Sequence, residues 1–131
     1  MVVIDASALV ELLFKRPFSW RIAEIAFAAG DTLHAPHLVD VEVIQVIRRH
    51  VRVGAMTHAH GARVVSLLAD LPLERHRHDV LLPRIWDLRD SFSAYDAAYV
   101  ALAQTLPARL LTCDGKLAAA RPPGVEIILV R

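Results

Sequence analysis

At 131 residues and a formal net charge of +1, the chain has the size of about one domain and can bury most of its apolar surface in a single core. Hydrophobic residues make up 55% and mean hydropathy is +0.40. No apolar run reaches the roughly 18 residues of a membrane span, so the excess points to buried strands or a partner interface. The single Cys113 excludes an internal disulfide. No basic leader with an apolar core precedes Asp5, so no signal peptide is expected and the cytoplasm is the expected compartment.

In chain order, Val2 to Asp5 reads as a strand, followed by a helix from Ser7 to Lys15 that Pro17 stops and a second helix from Ser19 to Ala29 that ends at Gly30. Thr32 to Ala35 is a short strand. Pro36 opens a long helix, His37 to Val53, that carries Glu42 and ends at Gly54. Thr57 caps a helix running to Leu71, and Leu73 to His76 is a third strand. Asp79 to Arg89 and Ser93 to Thr105 read as helices, the latter ending before Pro107. Arg109 to Thr112 is a fourth strand, and Pro122-Pro123-Gly124 separates a short last helix from a final strand, Val125 to Val130. Strands alternating with helices predict crossover connections and a parallel sheet covered on both faces, a three-layer α/β/α architecture over residues 1–131.

Four acids far apart in sequence, Asp5, Glu42, Asp96 and Asp114, each fall at the end of an apolar element. Asp5 closes Val2-Val3-Ile4 and Asp114 closes Leu110-Leu111-Thr112-Cys113, at the carboxyl ends of buried strands where open α/β sheets place their ligand crevice. Glu42 and Asp96 lie in the first turns of helices leaving that same edge. Carboxylate oxygens are hard ligands suited to Mg²⁺ or Mn²⁺, which keep waters and a substrate phosphate in their remaining positions. The chemistry implied is phosphodiester hydrolysis.

Charge distribution points the same way. With the four acids in one pocket, the rest of the molecule carries +5. Basic residues gather in Arg48-Arg49-His50-Val51-Arg52, Arg75-His76-Arg77-His78 and Arg84 to Arg89. An acidic pit in a basic surround suits a phosphate backbone gripped by its rim, although such runs are also what solvated faces look like.

Each acid has a plainer explanation. Asp5 could cap the helix beginning near Ser7. Asp96 completes the capping-box pattern Ser93-Ala94-Tyr95-Asp96, Asp114-Gly115 could be a turn, and Glu42 could be a surface acid with Gln45 and Arg49 on its face. What favours a pocket is that all four fall on one predicted edge, which independent caps and turns need not do.

The words around these acids are Val-Ile-Asp-Ala-Ser (Val3 to Ser7), Pro-x-x-x-x-x-Glu (Pro36 to Glu42), Ser-Ala-Tyr-Asp-Ala-Ala-Tyr-Val-Ala-Leu-Ala (Ser93 to Ala103) and Leu-Leu-Thr-Cys-Asp (Leu110 to Asp114). In this order they resemble the PIN-domain ribonucleases, and the stand-alone length resembles a VapC-type toxin of a type II toxin–antitoxin pair. The resemblance covers essentially the whole chain. It implies a five-stranded parallel sheet in the order 3-2-1-4-5. It also implies that Asp5, Glu42, Asp96 and Asp114 are the catalytic quartet binding Mg²⁺ or Mn²⁺, with Ser7 and Thr112 as supporting hydroxyls. The expected activity is endonucleolytic cleavage of RNA, with a cognate antitoxin and a second copy of the chain as partners. Two departures stand out: Gln45 where many relatives carry Asn, and Lys116 where some add another acid, which makes Asp114 a ligand acting through water. An apolar stretch, Ala8-Leu9-Val10 with Leu12-Leu13-Phe14, together with the helix around Val43 to Ile47, is the expected antitoxin groove.

Other constellations are poorer. His58-Ala59-His60 and His76-Arg77-His78 face one way only on a strand, and no Cys or further spaced His completes a zinc set. Neither G-x-x-x-x-G-K-[ST], G-x-G-x-x-G nor G-x-S-x-G occurs. Tyr95 and Tyr99, four apart among alanines, read as core and interface packing. An aspartyl-phosphate phosphatase would need a second acid two residues after Asp5, where Ser7 stands. A phosphoacceptor receiver domain would want paired acids after the first strand and an Asp after the third, which ends in Arg75-His76. The remaining alternative is a PIN-like domain serving RNA processing or protein binding without toxin activity.

Overall fold

The computed structural model describes residues 1–131. Its strands are β1 (Val2–Ile4), β2 (Leu33–Pro36), β3 (Leu73–His76), β4 (Arg109–Thr112) and β5 (Ile127–Leu129). They form one sheet in the order β3-β2-β1-β4-β5, and every neighbouring pair is parallel. The central strand explains its own sequence. Val2, Val3 and Ile4 are all 0% exposed, the continuous apolar run expected of a strand covered on both faces.

Seven α-helices connect the strands: α1 (Ala6–Leu13), α2 (Ser19–Ala26), α3 (Leu38–Arg52), α4 (His58–Asp70), α5 (Leu82–Asp87), α6 (Ala94–Thr105) and α7 (Gly115–Ala119). Helix α6 lies across β1, β2 and β4, while α1 packs on β4 and against α2, α3 and α4. Residues Ala97 to Ala103 of α6 are buried without interruption. A helix apolar all round must be enclosed, and its alanines let it approach the sheet closely.

Several boundaries differ from expectation, each for a local reason. Pro36 closes β2 instead of opening the next helix: it stands opposite His76, and the ladder resumes when the His37 amide donates to the His76 carbonyl at 2.8 Å. A proline lacks the N–H for one rung and is tolerated at a strand end. Helix α1 stops at Leu13, before Lys15 takes a left-handed φ of 52°. Helix α2 stops at Ala26, and Gly30 turns the chain back at φ 83°. The expected helix from Asp79 to Arg89 is a 3₁₀ turn, Asp79–Leu81, followed by α5 with Pro83 in its first turn. The last strand is confined to Ile127–Leu129.

Chain order and sheet order reverse between β1 and β4: one connection leads outward to β2 and β3, the other to β5. Such a switch point opens a crevice at the carboxyl ends of the strands. Asp5 follows β1 there, and Asp114 follows β4 two residues after its end.

Candidate active site

The Asp5 carboxylate is the most constrained group on this edge. It is 6% exposed. Its Oδ1 accepts from the Ala8 amide at 3.0 Å, capping α1, and from Ser7 Oγ at 2.7 Å. Its Oδ2 accepts from Thr112 Oγ1. The two hydroxyls in turn accept from backbone: Ser7 Oγ from the Cys113 amide and Thr112 Oγ1 from the Asp114 amide, each at 2.9 Å. The chain leaving β4 is thereby fastened to the carboxylate that ends β1, through hydroxyls whose single protons both go to Asp5.

Burial dominates the electrostatics. It pushes the Asp5 pKa from an ordinary 3.8 up to about 6, against the lowering effect of the Ser7, Thr112 and Ala8 bonds, and the Asp114 charge adds to the rise. Asp96 is raised by desolvation and then by the Asp114 charge. Glu42 is raised by desolvation and by the Asp96 charge, opposed by a hydrogen bond from Tyr99. The four acids therefore share one field. Despite 15 Lys and Arg in the chain, none of the four is ion-paired: the protein's ion pairs use Asp31, Asp40, Glu74 and Asp79 instead.

The plainer explanations hold only in part. Asp5 does cap α1, and Asp114 Oδ1 caps α7 by accepting from the Lys116 and Leu117 amides at 2.8 and 3.4 Å. Ser93 caps α6 by accepting from the Asp96 amide at 3.2 Å, but the Asp96 carboxylate makes no return bond to the Ser93 amide. The capping box is half formed, which leaves that carboxylate free toward the other acids. No three of the four bring an oxygen within 4.8 Å of one another. Uncompensated carboxylates repel, and Mg²⁺ held by one or two carboxylates keeps several waters, so an all-oxygen set of this breadth fits a hydrated hard cation.

Tyr99 is the residue that sequence reading placed in the core and left there. It is buried, and its hydroxyl donates to Glu42 Oε1 at 2.6 Å, joining α6 to α3. The signal available in sequence was its spacing: Asp96 and Tyr99 are three apart on one helix and share a face. Tyr95, by contrast, is 65% exposed.

Beside the acids, a cleft of about 770 Å³ runs between α1 and α3, lined by Ala6, Ser7, Val10, Leu38, Val41, Glu42 and Val46, with Arg16 and Arg49 at its rim and Tyr95 and Cys113 near the acids. The expected groove is thus corrected in its residues. Ala8, Leu9, Leu13, Val43 and Ile47 are buried in the core; of the expected residues Val10 and Val46 line the cleft, which the neighbouring faces of the same two helices complete. Part of the expected basic rim is spent internally: Arg75 binds Asp40 at 2.7 Å and the Leu68 carbonyl at 2.9 Å, while Arg77 pairs with Asp79 at the surface.

The sequence and the fold match one family. A family model described as PIN domain matches residues 2–121, and the chain belongs to the PIN-domain family. Among curated proteins it is 40% identical to ribonuclease VapC12 of Mycobacterium tuberculosis over 130 residues, 99% of both chains. It is also 40% identical to ribonuclease VapC3 of the same organism over 122 residues, 92% of this chain and 88% of that one. Among solved structures it resembles VapBC2 from Rickettsia felis bound to a promoter DNA fragment (TM-score 0.74, 15% identity, 98% of each chain). A toxin–antitoxin complex from Klebsiella pneumoniae is similar (TM-score 0.70, 20% identity, 98% of this chain and 96% of that one).

The raised Asp5 pKa has a definite consequence for stability. Below pH 3.8 the group is neutral in both folded and unfolded chains. Between 3.8 and about 6 the unfolded chain ionises it freely while the folded protein resists, so stability falls as pH rises through that window. At about 1.4 kcal/mol per pH unit, Asp5 alone makes the metal-free protein roughly 2 kcal/mol less stable at pH 7 than at pH 4. Urea unfolding in EDTA across this range should show the decline, and Asp5→Asn should remove most of it; parallel curves for the two proteins would contradict the burial assigned to this carboxylate.

Proposed function

We propose that the chain, acting as one domain over residues 1–131, is a Mg²⁺- or Mn²⁺-dependent endoribonuclease and the toxin of a cytoplasmic toxin–antitoxin pair. The observation that carries this reading is the cluster of three desolvated carboxylates, Asp5, Glu42 and Asp96, with the Asp114 charge beside them and no protein cation among them. Relatives named ribonuclease VapC, 40% identical over nearly the whole chain, support the choice of RNA and of the toxin role.

In this reading Asp5, Glu42 and Asp96 hold the cation directly or through its waters, and Asp114, whose Oδ1 is already shared by two amides of α7, acts through water. A bound Mg²⁺ or Mn²⁺ supplies Lewis-acid activation of water and neutralises charge on the phosphate. Ser7 and Thr112 fix the orientation of Asp5, whose Oδ2 accepts from Thr112 alone and keeps a lone pair for the cation. Tyr99 orients Glu42 and favours its ionised form against desolvation. Arg16 and Arg49, exposed at the cleft rim, attract the RNA backbone. No side chain acts as a covalent nucleophile.

Replacing Asp5 or Asp96 with Asn should abolish metal-dependent cleavage of RNA while far-UV circular dichroism stays unchanged, because one ligand charge is lost at almost constant shape. Full activity of either variant, or wild-type activity in excess EDTA, would overturn the assignment.

Tyr99→Phe removes the hydrogen bond while keeping the ring in the core. Cleavage should drop roughly 10- to 100-fold, the usual cost of losing a partner that orients a metal ligand, and raising Mn²⁺ should recover part of it. An unchanged Mn²⁺ dependence would reduce Tyr99 to packing.

The cleft between α1 and α3 combines an apolar floor with an acidic end at Glu42, which suits a peptide whose basic side chain reaches the pocket. An antitoxin is the proposed occupant, and a homodimer the proposed assembly. The tagged chain should co-purify with the product of the neighbouring small gene; a monomer that binds no such product and is harmless on expression would contradict the toxin role.

A further inference from the structure

At the other flank of the sheet, β2 and β3 pair so that His34 stands against Glu74 and Pro36 against His76. Residues two apart on a strand point to the same face, so this register gathers His34, Glu74 and His76 although they are widely separated in sequence. His34 Nδ1 is 2.9 Å from His76 Nε2 and 3.5 Å from Glu74 Oε2, and the three ligand atoms lie within 4.8 Å of one another. Donors sharing a tetrahedral Zn²⁺ at bond lengths of about 2.0–2.2 Å are about 3.4 Å apart. The trio stands close to that spacing before any ion is added.

Three further features fit a ligand set better than a chance contact. The outer nitrogen of His34, Nε2, lies 2.7 Å from Thr32 Oγ1, the kind of second contact that fixes the tautomer of a ligating imidazole and leaves its other lone pair free. His34 is 4% exposed, and burial lowers its pKa, favouring the neutral form that binds metal. The charges acting on it are Glu74, His76 and the chain's amino terminus, with none of the four acids of the crevice among them. The cluster is electrostatically separate from the pocket at the β1–β4 switch point.

We propose that His34, Glu74 and His76 form a second metal site, for Zn²⁺, that fastens the edge strand β3 to β2. Two imidazoles and a carboxylate select zinc and its neighbours over Mg²⁺, unlike the all-oxygen pocket. Glu74, 66% exposed, closes the site from outside, and water completes the tetrahedron. Binding requires the proton between the facing rings to leave His76 Nε2 for His76 Nδ1, so that both facing nitrogens present lone pairs. His76-Arg77-His78 alone lacked this reading because the completing ligand comes from the neighbouring strand.

The test uses the tag-free full chain in excess Mg²⁺, so that hard-cation sites are filled, with Co²⁺ as the spectroscopic probe and RNA cleavage not measured. Wild type should take up a stoichiometric amount of Co²⁺ with the intense visible bands of four-coordination. Zn²⁺ should displace it and raise the Tm. His76→Gln should lose both the bands and the Zn²⁺-dependent Tm rise. Glu74→Gln, at an exposed position that leaves folding intact, should weaken Co²⁺ binding at least several-fold. Absence of four-coordinate Co²⁺ in wild type, bands that survive in His76→Gln, or unchanged affinity in Glu74→Gln would overturn the site, whatever the outcome of the nuclease assays.

Discussion

Like-charge repulsion at the carboxyl edge of the sheet is the constraint on which this structure turns. Four acids converge at the place where strand order reverses, and no lysine or arginine answers them. Desolvation makes the conflict sharper, since burial disfavours the charged form of Asp5, Glu42 and Asp96 alike. The fold resists it with geometry. Asp5 is held by two hydroxyls and a helix amide, Glu42 by the hydroxyl of a tyrosine set in a wholly buried helical face, and Asp114 by two amides of the helix it caps. Only the Asp96 carboxylate is left without any hydrogen-bonded partner. A pocket kept at the expense of stability is the signature of a functional site.

The same logic explains how the basic residues divide. Arg75 is consumed by Asp40 and a helix-end carbonyl, so it is architecture, whereas Arg77 makes only an exposed pair with Asp79. Arg16 and Arg49 stand over the cleft beside Glu42, where a polyanion or a peptide approaching the acids would first meet them. Clusters that look alike in sequence thus serve opposite ends, and only the packing tells them apart.

Much of this was legible in the chain. The alternation of apolar runs with helical segments specifies a parallel sheet, and the position of each acid at the end of such a run places it on the strands' carboxyl edge before any coordinates are known. Legibility fails where the deciding contact is between elements. Nothing local says that Pro36 ends a strand, because that depends on the rung His37 makes with β3. Most of the apolar residues that advertise a surface groove on α1 and α3 are consumed by the core; Val10 and Val46 line the cleft, with Ala6, Leu38 and Val41 beside them. Tyr99 is read as packing because its polar tip matters only once α3 lies within hydrogen-bond reach. The pairing of His34 with Glu74 and His76 exists only in the register of β2 on β3.

That register bears on the crevice in a further way. Strand β3 is an edge strand, yet it carries the contacts that seat the start of α3: His78 Nε2 accepts from the Leu38 amide at 2.9 Å, and Arg75 reaches Asp40 in the first turn of the same helix. Glu42 lies in the next turn. An edge strand has a partner on one side only and is freer to fray than a central one, so the placement of one pocket acid depends on a strand supported from one side. Two imidazoles and a carboxylate across the β2–β3 seam stand where a cross-link would offset that weakness. Holding β3 to β2 holds the amino end of α3, and with it the side of the pocket that Glu42 forms.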